Sequence, residues 1–168
     1  MANLLAYTDF TGDCQLSISN LKLTEFNTFL TVGEAKFLRS IFGTKLYNSF
    51  VTGWTGTPAS KWTDLINGCD YEYEDETFHF DGLKLALKYY SYCEWQRINS
   101  SVNTGLTNVE GKSQNAINVA PTFNVINANN NCFNLVVEAD LFITEKGESV
   151  YADYLFTNPV KLINYFGI

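Results

Sequence analysis

The chain is short of the residues on which most recognisable chemistry depends. It holds a single histidine, His79, so any Ser/His/Asp or Cys/His mechanism would have to run through that one side chain. It holds no GxSxG elbow, no GxxxxGK phosphate loop and no GxGxxG turn, which removes the hydrolases and nucleotide binders most easily read from sequence. Its four cysteines, Cys14, Cys69, Cys93 and Cys132, form no CxxC and no chelate spacing. They are expected as reduced, mostly buried thiols, with no metal site. Basic residues are also scarce: 11 Lys and Arg face 18 Asp and Glu, a net charge of −7. A nucleic-acid groove needs a basic stripe to displace counterions, so no specific nucleic-acid contact is expected. The opening Met1–Ala6 lacks the charged start and apolar run of a signal peptide, and no later stretch is apolar for long enough to span a bilayer. No membrane association is expected, and the protein should be made and kept in a cytoplasm. No repeat appears at solenoid or propeller periods.

What is present is the material of a folded core. Hydrophobic residues make up 46% of the chain and aromatics 15%, with 13 Phe, 10 Tyr and 3 Trp. At 168 residues, one domain burying about 70% of its unfolded surface is the natural expectation. Tyrosine beyond what a core requires tends to end in interfaces, where it offers wide contact at low entropic cost.

Periodicity divides the domain as follows. Residues 1–19 read as an extended N-terminal arm, with a short alternation at Gln15–Ile18. A helix is expected from Thr24, interrupted at Gly33 and resumed over Glu34–Phe42 with Phe37, Leu38, Ile41 and Phe42 on one stripe. Gly43 marks a cap or tight bend, and Lys45–Val51 adds a further turn or two before a Gly/Thr loop over Gly53–Pro58. Ser60 can cap a short helix bearing Trp62, Leu65 and Ile66, ended by Gly68. The acidic, tyrosine-interleaved run Asp70–Glu76 reads as an exposed loop. The strongest helix runs from Gly82 to about Asn99 behind an Asp81 cap, and two aromatic-apolar rows mark it as central. Residues 100–131 are polar and nearly uncharged, with Pro121 expected to break any helix; at this length a loop usually carries function. Thr122–Ile126 alternates in the manner of a strand or hairpin. A final helix is expected over Phe133–Leu155, weakened at Gly147 and closed by Asn158-Pro159, followed by an apolar C-terminal tail over 159–168. The fold class is therefore mainly α: a single helical domain with a long polar loop or small β-hairpin insertion. Its core should include Phe37, Leu38, Ile41, Leu83, Leu87 and Tyr90.

Three constellations invite chemistry, and each has a plainer reading. His79, between Phe78 and Phe80 and beside Asp81, reads as a half-exposed histidine at a loop-to-helix junction. The Asp70–Glu76 carboxylates lack the spacing of a calcium loop and read as a solvated acidic face. Trp54 and Trp62 flank the Gly/Thr loop and leave open a small carbohydrate- or ligand-binding module, against the reading that both are core or subunit-contact residues. An acid pair acting as a glycosidase would give no sequence signal.

Two stretches carry a resemblance. Glu34-Ala35-Lys36-Phe37-Leu38-Arg39-Ser40-Ile41-Phe42-Gly43-Thr44-Lys45-Leu46-Tyr47-Asn48-Ser49-Phe50 resembles the E-x-x-(F/L)-L-x-x-(I/L)-(L/F)-G-x-x-L-Y-x-x-(F/L) pattern near the start of the head-to-tail connector (adaptor) proteins of tailed bacteriophages, those of Bacteroidetes-infecting and crAss-like phages in particular. Gly82-Leu83-Lys84 through Tyr92, then Thr104-Gly105-Leu106 and Ser113-Gln114-Asn115, is similar to the same family's G-L-K-x-A-L-x-Y-(Y/F) helix and the polar turn after it. The resemblance runs from about residue 20 to 115. It implies a connector-type helical subunit of the virion neck, assembled in the host bacterial cytoplasm. Its partners would be its own copies in a twelve-membered ring, the portal protein, and adjoining neck or tail proteins. It implies no catalytic residues, no cofactor and no metal. The polar loop and the apolar tail then become the expected assembly surfaces, with Leu106, Val109, Phe123 and Val125 in the first and Leu162, Tyr165, Phe166 and Ile168 in the second.

Overall fold

The computed structural model describes residues 3–16, 18, 20–99, 102–103, 108–109, 121–147 and 149–163. The protein is mainly helical. Helix α1 spans Asn20–Gly53, α2 Ser60–Asn67, α3 Leu83–Asn99 and α4 Pro121–Lys146, with an antiparallel hairpin of β1 (Cys69–Tyr73) and β2 (Glu76–Phe80) between α2 and α3. A second, two-residue pairing joins β3 (Val102–Asn103) to β4 (Asn108–Val109), with Val102 opposite Val109. Two short 3₁₀ turns, Tyr7–Asp9 and Gly12–Cys14, precede α1.

Helix α3 is the middle of the body because it carries apolar side chains on two faces. Toward α1, Trp95 meets Phe26 edge-on at 4.9 Å and Tyr90 stacks on Phe37 at 4.6 Å. Toward α4 it pairs antiparallel, with the Cys93 thiol on the Val125 carbonyl, the Cys132 thiol on the Ala86 carbonyl, and Glu138 accepting the Asp81 amide. Helix α4 therefore runs about three turns past the start of α3, and the hairpin folds onto that overhang. There Phe142 is stacked on Phe80 at 4.4 Å and meets Tyr71 edge-on at 5.0 Å. Of the six expected core residues, Phe37, Leu38, Ile41, Leu83 and Leu87 are buried, and Tyr90 packs half-buried against them.

Several boundaries differ from the periodicity reading, each for a local physical reason. Helix α1 begins at Asn20 and passes through Gly33 unbroken; its real break is Gly43, where φ of +72° turns the axis. The acidic run is no loop but the hairpin: Tyr71 and Phe80 point to the body while Asp70, Glu72, Thr77 and His79 face solvent. Pro121 does not stop a helix but opens one, since the first turn needs no amide donor there. The Asn-rich residues after it are helical, not strand or hairpin, because Ala128 and Cys132 give α4 a buried edge. Helix α4 thus begins at Pro121, inside the stretch expected as loop up to 131. At the other end α4 stops at Lys146, not Leu155: Gly147 takes φ of +78° and donates to the carbonyls of Ile143 and Thr144, a left-handed C-cap.

From Gly147 the chain returns as a non-helical strap along the body. Tyr151 is buried and donates to the Lys61 carbonyl, Lys61 Nζ donates to the Val150 carbonyl, and Leu155 lies against Gly43. Farther on Val160 is buried, and Asn129 and Asn130 of α4 hold the Lys161 carbonyl and both backbone groups of Ile163. The described start of the tail is thus folded back on its own helices. The N-terminal arm is likewise docked: Leu5, Phe10, Cys14 and Leu16 are core residues.

Candidate interaction site: hairpin tip and helix faces

The hairpin has a fixed base and a protruding tip. At its base Gly68 and Gly82 adopt φ of +87° and +84°, and their backbones lie so close that a Cβ on either would enter the other's chain. Gly82, not Asp81, stands immediately before α3. One level up, the buried Tyr71 hydroxyl donates to Glu145 and Lys146 Nζ sits 5.4 Å over the Tyr71 ring. Burial and the Glu145 carboxylate together hold the Tyr71 phenol far above its usual range. Beyond this level α4 has ended and the hairpin continues, with Phe78 leaning on the Tyr71 ring at 5.8 Å. Tyr73 is 37% exposed and Phe78 38% exposed, and the turn places Glu74 and Asp75 at φ of +50° and +66°. Such a two-residue turn is ordinarily made by Asn-Gly or Asp-Gly, so this tip keeps two carboxylates where smaller residues would fit with less strain.

His79 lies on the outer face of the hairpin. Its Nδ1 is 2.6 Å from Asp70 and its Nε2 3.4 Å from Asp81. The hydrogen bond to Asp70 comes first among the causes that raise its pKa above the usual imidazole value, followed on the same side by the two carboxylate charges. This is an imidazole flanked by two carboxylates that ties β1 to β2, on open surface. Among the described residues no group of three or more His, Cys, Asp or Glu side chains is placed to hold a metal ion.

The remaining sequence candidates are dispersed. Val125 is half-buried against the core, and Leu162 is 55% exposed on the strap. Val109 pairs in β4 and Phe123 lies in the first turn of α4. Leu106, Tyr165, Phe166 and Ile168 lie outside the described residues. Trp62 is buried between Phe50 and Tyr151, with Lys61 over its ring, so it is core and offers no stacking platform; Trp54 packs half-buried on Phe50. The cysteines form no disulfide. Burial pushes the Cys14 thiol up to about 11 and the Cys93 thiol up to about 12, and raises Cys132 and Cys69 as well, which keeps all four protonated and poorly reactive.

Two features escaped the sequence reading. The first is Glu34, 2% exposed, whose two carboxylate oxygens accept the Leu4 amide at 2.8 Å and the Leu5 amide at 2.9 Å. Burial is the main cause raising its pKa, opposed by those two hydrogen bonds and by Lys84. A lone acid inside the apolar stripe of a helix was the available signal. The second is the outer face of α1 over Thr31–Ser40, a shallow groove where Val32 is 66% exposed and Ala35 is flanked by Lys36 and Arg39. Arg39 lies 4.9 Å over the Tyr47 ring.

No family model, curated protein or solved structure matches the chain. Among the described residues no helix is long and apolar enough to cross a membrane.

Proposed function

We propose that the protein is a structural subunit of a tailed-bacteriophage particle, one of the copies of a neck ring that joins the portal to the tail. The observation that carries this reading is the hairpin. A fixed base holds out a tip with two partly exposed aromatic rings and three exposed carboxylates. Such a tip is built to meet another surface, because exposed aromatics gain from burial and the fixed base keeps the entropic cost of docking low. The motif that carried the resemblance supports the same reading. Glu34, Phe37, Leu38, Ile41, Phe42, Leu46, Tyr47 and Phe50 are all buried, and Gly43 makes the bend, so the shared pattern specifies an architecture and no chemistry. In this function each subunit works by shape: the helical body sets the spacing of the ring, and its projections contact neighbouring copies and the rings above and below. The test is co-expression with the portal protein encoded on the same genome, followed by electron microscopy of the purified complex and mass spectrometry of virions. A ring on the portal and stoichiometric copies in the particle are expected. Absence of the chain from purified particles overturns the reading.

A further inference from the structure

We infer that the hairpin tip of one copy seats on the Thr31–Ser40 face of α1 in the next copy, so that the ring closes through a head-to-tail contact. This inference rests on the ring reading above and names the surfaces that would build it.

The two surfaces match in both charge and apolar content. The tip presents Tyr73 and Phe78 together with Glu74, Asp75 and Glu76, all exposed. The α1 face presents Val32 and Ala35 beside Lys36 and Arg39. Between Glu25 and Lys45 those two cations are the exposed charges of α1, since the one acid in the interval, Glu34, is buried. In a chain of net charge −7, an acid-free cationic patch around an exposed valine is uncommon surface. Neither Lys36 nor Arg39 has a carboxylate partner among the described residues; the other described lysines near acids are engaged, Lys45 with Asp153 and Lys84 with Asp9.

The two surfaces belong to different parts of the fold. Helix α1 packs on one face of α3, while the hairpin is carried by the overhang of α4, which packs on another. A contact between two different patches on two copies is heterologous, and it propagates to a third copy and so on until the ring closes. Each contact is small, and closure supplies the stability through effective concentration. Aromatic side chains at the tip serve as anchors, and the complementary charges fix orientation and speed encounter.

Charge exchange between copies gives the test. Variant one carries Lys36→Glu and Arg39→Glu; variant two carries Glu74→Lys, Asp75→Lys and Glu76→Lys. Each alone opposes like charges at every contact, and self-association by sedimentation should fall at least tenfold from wild type. Mixed together, both kinds of contact pair opposite charges again, and association should return. In parallel, carbodiimide coupling of a mixture of ¹⁴N and ¹⁵N protein at millimolar concentration should join Lys36 to hairpin carboxylates in peptides of mixed isotope. Mixed-isotope links absent at that concentration, or a mixture of variants no more associated than either alone, overturn the inference. Particle composition separates this from the larger reading. If variant one enters virions at wild-type occupancy, the contact is wrong and the neck assignment stands; if wild-type protein is not in the particle at all, the neck assignment falls.

Discussion

The base and the tip of the hairpin are a few residues apart and obey different rules. At the base two glycine backbones touch, Phe80 lies flat on Phe142, and every position is fixed by what surrounds it. At the tip the same strands carry rings of the same kind, Tyr73 and Phe78, each more than a third exposed, and the turn is made by two acids in the left-handed region that glycine fills with less strain. The contrast teaches that an element can be rigid without being internally satisfied: the base pays in tight packing for the placement of a tip that has surface to spare.

Breaking that contrast begins at the base. Gly82→Ala adds a Cβ at φ of +84° into the backbone of Asn67 and Gly68, where neither neighbour can yield. Strain and overpacking together cost about 5 kcal/mol, and urea unfolding should show the variant largely unfolded in buffer; a wild-type midpoint contradicts the account. Next, Phe142→Ala should lose about 4 kcal/mol by opening a cavity beneath Phe80, Tyr71 and Tyr151. Phe78→Ala, the same deletion at the tip, should lose less than about 1 kcal/mol. Equal losses for these two would erase the distinction between base and tip. Smaller and of opposite sign, Asp75→Gly should raise stability by about 0.5–1 kcal/mol by relieving the left-handed turn, measured as a higher melting temperature.

The smallest effect is a titration. The folded pKa of His79 lies above its unfolded value, so its ion pairs with Asp70 and Asp81 favour the folded state in full at pH below the unfolded imidazole pKa. That contribution disappears as pH rises through the raised folded value. An NMR titration of the imidazole should give a midpoint above that of a free histidine, and Asp70→Asn should lower it. An unchanged midpoint in that variant removes Asp70 as the first cause.

The cores of helices α1 and α3 were legible because their apolar residues recur at three and four. The bend at Gly43 was legible for the same reason, as glycine at the end of a strong stripe. The hairpin was not. Its outward residues Asp70 and Glu72 and its turn residues Glu74 and Asp75 are all acids, so charge density masked the alternation of Cys69, Tyr71 and Tyr73. The start of α4 was misread because asparagine is a poor helix former, and only tertiary burial of Ala128 and Cys132 overrides that preference. The strap was misread because Val150, Tyr151, Tyr154 and Leu155 happen to keep helical spacing. In the structure Tyr151 is buried against α2 and α4, Val150 and Tyr154 are half-buried, and Leu155 is exposed beside the bend of α1, all on an irregular backbone. Of the interaction site, the acids and tyrosines were noticed as an exposed run, but the pairing that turns them into a tip with a fixed base was not visible without the fold.

The strap also sets an order of events during synthesis. Asp153 meets Lys45 across 108 residues, and Tyr151 meets Lys61 across 90. At bacterial-scale elongation of about 5–20 residues per second, the second half of α1 and Trp62 of α2 leave the ribosome about 5 to 20 seconds before their cover exists. During that interval Trp62 lacks the Tyr151 ring that completes its packing, so a nascent or prematurely terminated chain leaves that side of the Phe50–Trp62 pair uncovered. Completion of the strap is then the step that closes the body over Trp62.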